Sequence, residues 1–264
     1  MSLRITKTFS NSDKKLVTFV TGGDPDIDTS ENILSAIISG GADIIEIGMP
    51  FSDPMADGPT IQLSSNRAIK QNIDLDKIFL ICKNIRKKND NIPIILMGYY
   101  NVIFSYGVNR FVEECKNNGI DGLIVVDLQP EEDKDLLNAL NETELDLIRL
   151  VTPTTDNKRL EKILENSSGF LYYVTITGIT GQHSANINEL KLSIEKINKK
   201  TNLPIVSGFG IKDEKQVSEI CKICDGAVVG SSLVKIIEEN LNNKSKIIKL
   251  VSEFVKKLKQ GTKI

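Results

Sequence analysis

Two carboxylates lie eleven positions apart, one in a short apolar run and one in the loop that follows it. Glu46 belongs to the run Ile44–Ile47, and Asp57 follows in a loop rich in Gly, Pro and Asp. A paired acid/base reaction needs two such acids, one held by a rigid strand end and one by an adjustable loop. The spacing therefore predicts an active site in which both acids face one cavity.

The direction of the Glu46 side chain follows from the period of a β-strand. Alternation places Ile44, Glu46 and Gly48 on one face, and Ile45 and Ile47 on the other. The second face is expected to pack beneath helices, so Glu46 points into the apolar mouth of a barrel, which would raise its pKa. The alternative is a structural ion pair with Lys or Arg, but the adjoining loop supplies no basic residue.

Asp57 has two interpretations, because Asp-Gly and Asp-Pro sequences are common turn formers. Taken alone it is a turn residue, whereas its partnership with Glu46 and the presence of Asp53 in the same loop favour catalysis. Both interpretations stay open at this point. Asp24, within Gly22-Gly-Asp-Pro25, is interpreted as a turn residue.

Glycine-rich segments follow three consecutive predicted strands, at 178–181, 207–211 and 230–232. Glycine lets backbone N–H groups approach an anion, and the start of a helix adds a favourable dipole. Barrels of parallel strands often bind phosphate in the loops after their last two strands. These segments predict a phosphate site, although ordinary turns use glycine pairs as well.

Histidine and cysteine offer little chemistry in this chain. The single histidine, His183, lies in a polar loop and is interpreted as exposed and incidental, so we expect no metal site. Cys221 and Cys224 form the one C-x-x-C pair, without a second pair or a nearby histidine. Buried thiols in a reducing cytosol are the expectation, and we expect a cytoplasmic location.

The elements that would position these groups alternate along the whole chain. Eight strands are predicted: Leu16–Thr21, Ile44–Ile47, Ile94–Met97, Leu123–Val126, Leu147–Leu150, Leu171–Val174, Ile205–Ser207 and Ala227–Val229. Helices are predicted at Ser30–Ser39, Ile73–Lys88, Asn109–Asn118, Glu131–Leu140, Asn157–Glu165, Asn188–Lys199, Asp213–Ile220, Leu233–Asn240 and Lys244–Leu258. Without hairpin turns between them, the strands are expected to pair in parallel through helical crossovers.

Eight such units in 264 residues predict an α/β fold of the (β/α)8 TIM-barrel type. We expect one domain over residues 1–264, with an extra N-terminal helix before Leu16 and inserted loops, chiefly Met49–Asn72. An open doubly wound sheet is the alternative.

Charge and hydropathy limit the partners. A formal net charge of −2 argues against nucleic acid and anionic membrane surfaces, which attract a basic excess. The sequence contains no run of about eighteen apolar residues, the length that spans a bilayer. Its first residues lack the apolar segment of a secretory signal.

Several ordered segments resemble one enzyme family. They are Phe19–Pro25, Glu46–Gln62, Leu96–Asn101, Tyr172–Gly181, Ser207–Gly210 and Gly230–Ile237. Over about Leu16 to Phe254 the sequence is similar to the tryptophan synthase alpha chain family. The resemblance implies a barrel that cleaves indole-3-glycerol phosphate to indole and glyceraldehyde 3-phosphate, a retro-aldol lyase reaction.

The resemblance also implies roles for particular residues. Glu46, Asp57 and Tyr172 match the family's catalytic positions, and Thr180 belongs to the segment that closes over the substrate. The substrate-binding positions would be Phe19, Ile61, Tyr99, Thr180, Gly181, Phe209, Gly210, Gly230 and Ser231. No metal or cofactor is implied for this chain; pyridoxal phosphate would belong to the partner beta chain of an α2β2 complex, which receives the indole for L-tryptophan synthesis.

Departures from the family pattern leave alternatives open. Gln129 stands where the family usually has proline, on the side expected to face the beta chain, and Ile176 and Thr177 stand where some members have arginine. One alternative is a stand-alone lyase that releases free indole, and a second is a catalytically silent alpha chain that only activates its partner. A different phosphate-binding barrel, such as an isomerase, is disfavoured by the loop at residues 50–59.

Overall fold

A computed structural model describes residues 2–175, 183–208 and 210–264, with the backbone alone at 183–186. The strands in these ranges are β1 (Lys15–Thr21), β2 (Ile44–Gly48), β3 (Ile94–Gly98), β4 (Gly122–Val125), β5 (Asp146–Leu147), β6 (Arg149–Val151), β7 (Leu171–Tyr173), β8 (Ile205–Ser207) and β9 (Gly226–Val229). The helices are α1 (Leu3–Thr8), α2 (Ile27–Ser39), α3 (Pro59–Lys70), α4 (Leu75–Lys88), α5 (Tyr100–Tyr106), α6 (Val108–Asn117), α7 (Lys134–Leu140), α8 (Asn157–Leu164), α9 (His183–Asn198), α10 (Glu214–Cys221), α11 (Ser231–Glu238) and α12 (Lys244–Gln260).

The strands form one parallel sheet that closes on itself. Their order is β5-β4-β3-β2-β1-β9-β8-β7-β6. The two ends of this order, β5 and β6, are separated along the chain by Ile148 alone. Leu147 pairs with Leu123 of β4, and Arg149 pairs with Leu171 of β7. The predicted strand Leu147–Leu150 is thus two short strands that change partners, and the predicted (β/α)8 barrel is confirmed.

Both faces of the sheet are covered, which explains why the strands are apolar along most of their length. Ile44 packs in a cluster of inward-facing side chains that also contains Ile95 and Phe170. Ile45 and Ile47 belong to the larger cluster between sheet and helices. The predicted alternation along β2 is confirmed.

Aspartate begins several of the helices. Asp26, Asp74, Asp156 and Asp213 each accept a hydrogen bond from the backbone N–H three residues later, at the starts of α2, α4, α8 and α10. Such N-caps satisfy a donor that the first helical turn leaves unpaired. The caps are local in sequence, and the helices that they begin start within three residues of the predicted starts.

The segments that link strands differ from the prediction in two places. Residues 59–70, predicted as part of an inserted loop, form α3, whose first residue is Pro59. Proline suits that position because its fixed φ is helical and its missing N–H has no partner to lose.

Helix α5 was also not predicted. The predicted N-terminal helix is α1, and its Ile5 is 1% exposed in the inward-facing cluster. In the described part of the chain, no helix is long and apolar enough to cross a membrane.

Candidate active site

Glu46 lies in the middle of β2 and is 0% exposed. Its register neighbours are Phe19 on β1 and Ile95 on β3. Among the described residues, neither carboxyl oxygen has a hydrogen-bond partner. Burial without a partner raises the pKa of Glu46 to about 8, because the charged form is poorly solvated there. The carboxyl is therefore mostly protonated at neutral pH, as the sequence predicted.

Tyr172 on β7 faces the same interior. Its hydroxyl donates a long hydrogen bond of 3.4 Å to the carbonyl oxygen of Gly208. Burial, and secondly the charge of Glu46, raise the pKa of Tyr172 well above its ordinary value. The two side chains therefore interact electrostatically across the barrel, and Tyr172 stays a neutral donor.

A cavity opens at the carboxyl ends of β1, β2 and β3. Four of the predicted site residues line it: Phe19, Asp57, Ile61 and Tyr99. Most of the other lining residues are apolar, which suits a flat aromatic ring.

Glu46 itself is not among the residues that line this cavity. Gly48, the next inward-facing position along β2, does line it, so Glu46 lies one step deeper in the barrel. The sequence placed both acids at one open cavity. The structure instead puts Asp57 in the wall and Glu46 beneath it, because the side chain of a mid-strand residue is enclosed by the neighbouring strands.

Asp57 is held by a tyrosine. The Tyr99 hydroxyl donates to Asp57 Oδ2 at 3.0 Å and accepts from the Ala56 backbone N–H at 3.0 Å. Burial raises the pKa of Asp57, and the Tyr99 hydrogen bond partly offsets this by favouring the carboxylate. One oxygen of Asp57 is thus occupied, while the residue remains only partly buried.

Tyr99 is fixed in turn from both sides. Its ring lies 5.2 Å from that of Phe51, and the Phe51 N–H and carbonyl both hydrogen-bond the Ser65 hydroxyl of α3. On the other side, Asp127 Oδ1 accepts from the Tyr100 N–H at 2.7 Å and so caps α5. The loop that carries Asp57 is therefore tied to the barrel through Tyr99 and α3.

The turns after β8 and β9 contain glycines at positions where the backbone is close to other atoms or has a positive φ. At Gly208 a Cβ would come within 2.1 Å of the Val228 carbonyl oxygen, so only glycine fits. Gly210 has a φ of +70° and is exposed, with no atom within 4 Å of where a Cβ would be. Gly230 precedes α11 directly, and Ser231 is its exposed first residue. A helix start leaves backbone N–H donors without partners inside the helix, so the start of α11 at this turn suits an anion.

Phe19 connects the cavity to these turns, since a Cβ at Gly230 would lie 3.2 Å from Phe19 Cβ. Three predicted substrate-binding residues, Thr180, Gly181 and Phe209, lie outside the described residues, as does the side chain of His183.

Sequence reasoning missed two interactions that shape the site. The bond from Tyr99 to Asp57 joins residues 42 positions apart. Asp24, interpreted as a turn residue, is 1% exposed and binds Arg67 of α3 through both carboxylate oxygens. A clue existed, because a carboxylate between two glycines and a proline at a strand end has few solvated neighbours.

The described residues contain no group of three or more His, Cys, Asp or Glu side chains arranged to hold a metal ion. All four cysteines are buried free thiols. Burial raises the pKa of Cys82 to about 12 and that of Cys221 to about 11, so these thiols stay protonated and unreactive.

A closed parallel barrel with a cavity at the carboxyl ends of its strands defines the class of (β/α)8-barrel enzymes. Comparison with known sequences identifies the family within that class. The chain belongs to the tryptophan synthase alpha chain family, whose model matches residues 5–263. Members of this family are lyases that act on indole-3-glycerol phosphate, and an alpha chain implies a beta-chain partner.

Individual relatives agree over nearly the full length. The tryptophan synthase alpha chain of Geotalea daltonii is 47% identical, and that of Geotalea uraniireducens is 45% identical; each alignment covers 98% of both chains. Among solved structures, tryptophan synthase subunit alpha from Legionella pneumophila superposes with a TM-score of 0.91 at 33% identity, covering 99% of this chain and 98% of that one.

Proposed function

We propose that Glu46 and Asp57 are the two acids with which this chain cleaves indole-3-glycerol phosphate. One observation carries the assignment: Glu46 is a fully buried carboxyl without a partner among the described residues, next to a cavity that Asp57 lines. A structural carboxylate at such a site would have a cation or several N–H donors beside it. Glu46 has the pKa of a proton donor instead.

The reaction needs one proton to move from oxygen to carbon. Protonated Glu46 donates its proton to C3 of the indole ring, which becomes a cationic indolenine. The resulting carboxylate then removes the proton of the side-chain hydroxyl on the carbon attached to C3. The electrons of that O–H bond form the aldehyde carbonyl, and the broken C–C bond returns its pair to the ring. Glu46 is left protonated, ready for the next turnover.

Asp57 acts on the ring nitrogen in this proposal. As a carboxylate it accepts a hydrogen bond from the indole N–H and stabilises the positive charge of the indolenine. The Tyr99 hydroxyl keeps one oxygen in place and leaves the other for substrate. By family likeness Tyr172 is the third catalytic group: its neutral hydroxyl, which donates to the Gly208 carbonyl, lies within the electrostatic influence of Glu46.

The remaining predicted residues hold the two ends of the substrate. Phe19 and Ile61 form apolar walls for the ring, and Gly210, Gly230 and Ser231 bind phosphate through backbone N–H groups and the α11 dipole. By family likeness we assign Thr180, Gly181 and Phe209 to the same substrate. Because Glu46 is closed off from solvent, the bound ring must displace part of the cavity floor to reach it.

We further propose an α2β2 complex with a beta chain that carries pyridoxal phosphate and consumes the indole. Met55 and Phe104 are 86% and 64% exposed, in the β2–α3 loop and α5. Met55 adjoins Pro54, which lines the cavity, and α5 contributes Asn101 to a surface groove that Pro50 also lines. Exposed apolar side chains beside the cavity support a protein partner there. The proposal keeps residues 1–264 as one domain in the cytoplasm, a reducing compartment that agrees with four free thiols.

An indole-release assay with indole-3-glycerol phosphate tests the assignment on the isolated chain and with a beta chain added. The wild-type chain is expected to release indole, and the double variant Glu46→Gln/Asp57→Asn is expected to release none above background. If the wild-type chain binds a beta chain and activates it but releases no indole, the silent-subunit alternative is correct. If the chain works but size measurement detects no complex with the beta chain, the stand-alone lyase is correct.

A further inference from the structure

A buried ion pair joins the β1–α2 loop to α3. Arg67 donates from Nε and Nη2 to the two oxygens of Asp24, at 2.8 Å each. The Asp24 side chain is 0% exposed and that of Arg67 19%. A two-pronged guanidinium–carboxylate contact sets orientation as well as distance. The pair therefore fixes how α3 lies on this loop.

A second polar contact lies one helical turn away. The hydroxyl oxygens of Thr21 and Ser64 are 2.6 Å apart, and both residues are buried. Thr21 precedes Asp24 by three positions, and Ser64 precedes Arg67 by three. Helix α3 is thus attached to the end of β1 at two points, which define its rotation and its position along its own axis.

The position of α3 matters for the cavity. Asp57 lies two residues before Pro59, the first residue of the helix, and Ile61 and Ser65 of α3 line the cavity. A shift of α3 would therefore move the ring-binding end of the site.

Helix α11 packs against α3 and begins at the phosphate-binding turn. The hydrogen bonds and the charge of Asp24 raise the pKa of Arg67, burial opposes this, and the charge of Glu238, the last residue of α11, adds a smaller increase. Arg67 therefore fixes α3 to the loop after β1, the strand against which α11 also packs.

We propose that Arg67 is a positioning residue that fixes α3 relative to α11, and so sets the separation between Asp57 and the turn at Gly230. This inference rests on the function proposed above, in which one end of the site binds the ring and the other the phosphate. Because the ring and the phosphate are covalently joined in the substrate, both must fit their ends of the site at the same time. Displacement of about 1 Å can cost on the order of a hundredfold in rate, whereas the separate fragments would bind as before.

Arg67→Lys tests the positioning role directly, because lysine keeps the positive charge but cannot make the bidentate contact with Asp24. We expect kcat/KM for indole-3-glycerol phosphate to fall by about tenfold or more. The dissociation constants of indole alone and of inorganic phosphate alone are expected to stay within about twofold, since each fragment contacts only one end. Thermal unfolding of each variant checks that the chain remains folded.

Glu238→Gln is a second variant that leaves the Asp24–Arg67 pair intact, so the test survives if Arg67→Lys does not fold. We expect it to lower kcat/KM by about threefold, the scale of a partly exposed charge contact, with both fragment affinities unchanged. Glu239→Gln is the matched control, because that exposed neighbour interacts with Lys235 at 3.7 Å instead. The control is expected to behave as wild type.

Two results would overturn the inference: folded variants with wild-type kcat/KM, or fragment affinities that fall together with kcat/KM. A wild-type chain that releases no indole would overturn the proposed function separately. In that event binding measurements replace kcat/KM. The positioning role then predicts that Arg67→Lys weakens binding of the intact substrate but not binding of either fragment.

Discussion

Glu46 and Asp57 are the two acids of the proposed site, yet their surroundings are opposites. Glu46 lies in a strand, is fully buried and, within the described part of the protein, has no hydrogen-bond partner. Asp57 lies in a loop, is partly exposed and accepts a hydrogen bond from Tyr99. Burial raises the pKa of both groups, to about 8 for Glu46, whereas the Tyr99 hydrogen bond opposes the rise for Asp57.

Under the proposed function, this contrast would give one site both a protonated acid and a carboxylate anion from similar side chains. A rigid strand can keep a carboxyl away from water and cations, so the group stays protonated until substrate arrives. A loop supplies donors that favour the carboxylate and can adjust to the ring. Different environments therefore separate the two roles, as paired carboxylates require.

The largest effect is expected from Glu46→Gln, which removes the proton carrier without changing shape. Indole release should fall by about 100- to 10,000-fold, the usual contribution of general acid–base catalysis. Steady-state kcat measures it. Glu144→Gln, a change to an exposed acid in the α7–β5 loop, is the control and should keep full activity. A Glu46→Gln variant with near wild-type kcat would remove Glu46 from the mechanism.

Asp57→Asn is expected to lower kcat/KM by about 100- to 1,000-fold, because a neutral amide stabilises the indolenine cation poorly. Wild-type kcat/KM should fall above pH of about 8, where Glu46 loses its proton, and at low pH, where Asp57 gains one. In the variant the acid limb should vanish and the alkaline limb remain. An acid limb that persists would assign it to another group. Asp53→Asn in the same loop is the control and should leave the isolated chain unaffected.

The stability of the fold should reveal the same contrast. The pKa of Glu46 is raised from 4.5 to about 8, so its stabilising contribution is complete below pH 4.5 and is lost as pH rises to about 8. The loss is about 1.4 kcal/mol per pH unit in that interval. Denaturant unfolding of wild type and Glu46→Gln at several pH values should show their difference growing in favour of the variant. Parallel curves would mean that Glu46 is ionised in the folded chain.

Among the changes at the two acids and their partners, Tyr99→Phe should have the smallest effect. It removes one hydrogen bond to Asp57 and one from Ala56, worth about 1 kcal/mol each, so kcat/KM should fall by about five- to thirtyfold. Loss of that bond also raises the pKa of Asp57, which shifts the acid limb of the pH profile upward. An unchanged acid limb would show that Tyr99 does not stabilise the carboxylate.

Local patterns in the sequence carried much of the architecture. The strand and helix alternation, the inward face of β2 and the glycine turns depend on residues within a few positions of one another. Period, propensity and turn chemistry act over that range. The raised pKa of Glu46 also followed, because an apolar strand with no basic neighbour has few ways to stabilise a charge.

Two elements were missed for different reasons. Helix α3 directly follows a loop rich in Gly, Pro and Asp and was predicted as part of that loop. The strand at residues 147–150 looked continuous because its change of partners at Ile148 depends on distant strands and leaves no local signal.

The sequence by itself determined that this chain is a parallel barrel with an inward Glu46 and an adjacent Asp57 loop. The tertiary structure alone decided that Glu46 lies beneath the cavity, that Tyr99 holds Asp57 and that Arg67 binds Asp24. Those contacts span more than forty positions, 42 from Asp57 to Tyr99 and 43 from Asp24 to Arg67. Pairing at that range is set by how the closed sheet and its helices pack, which no local preference encodes.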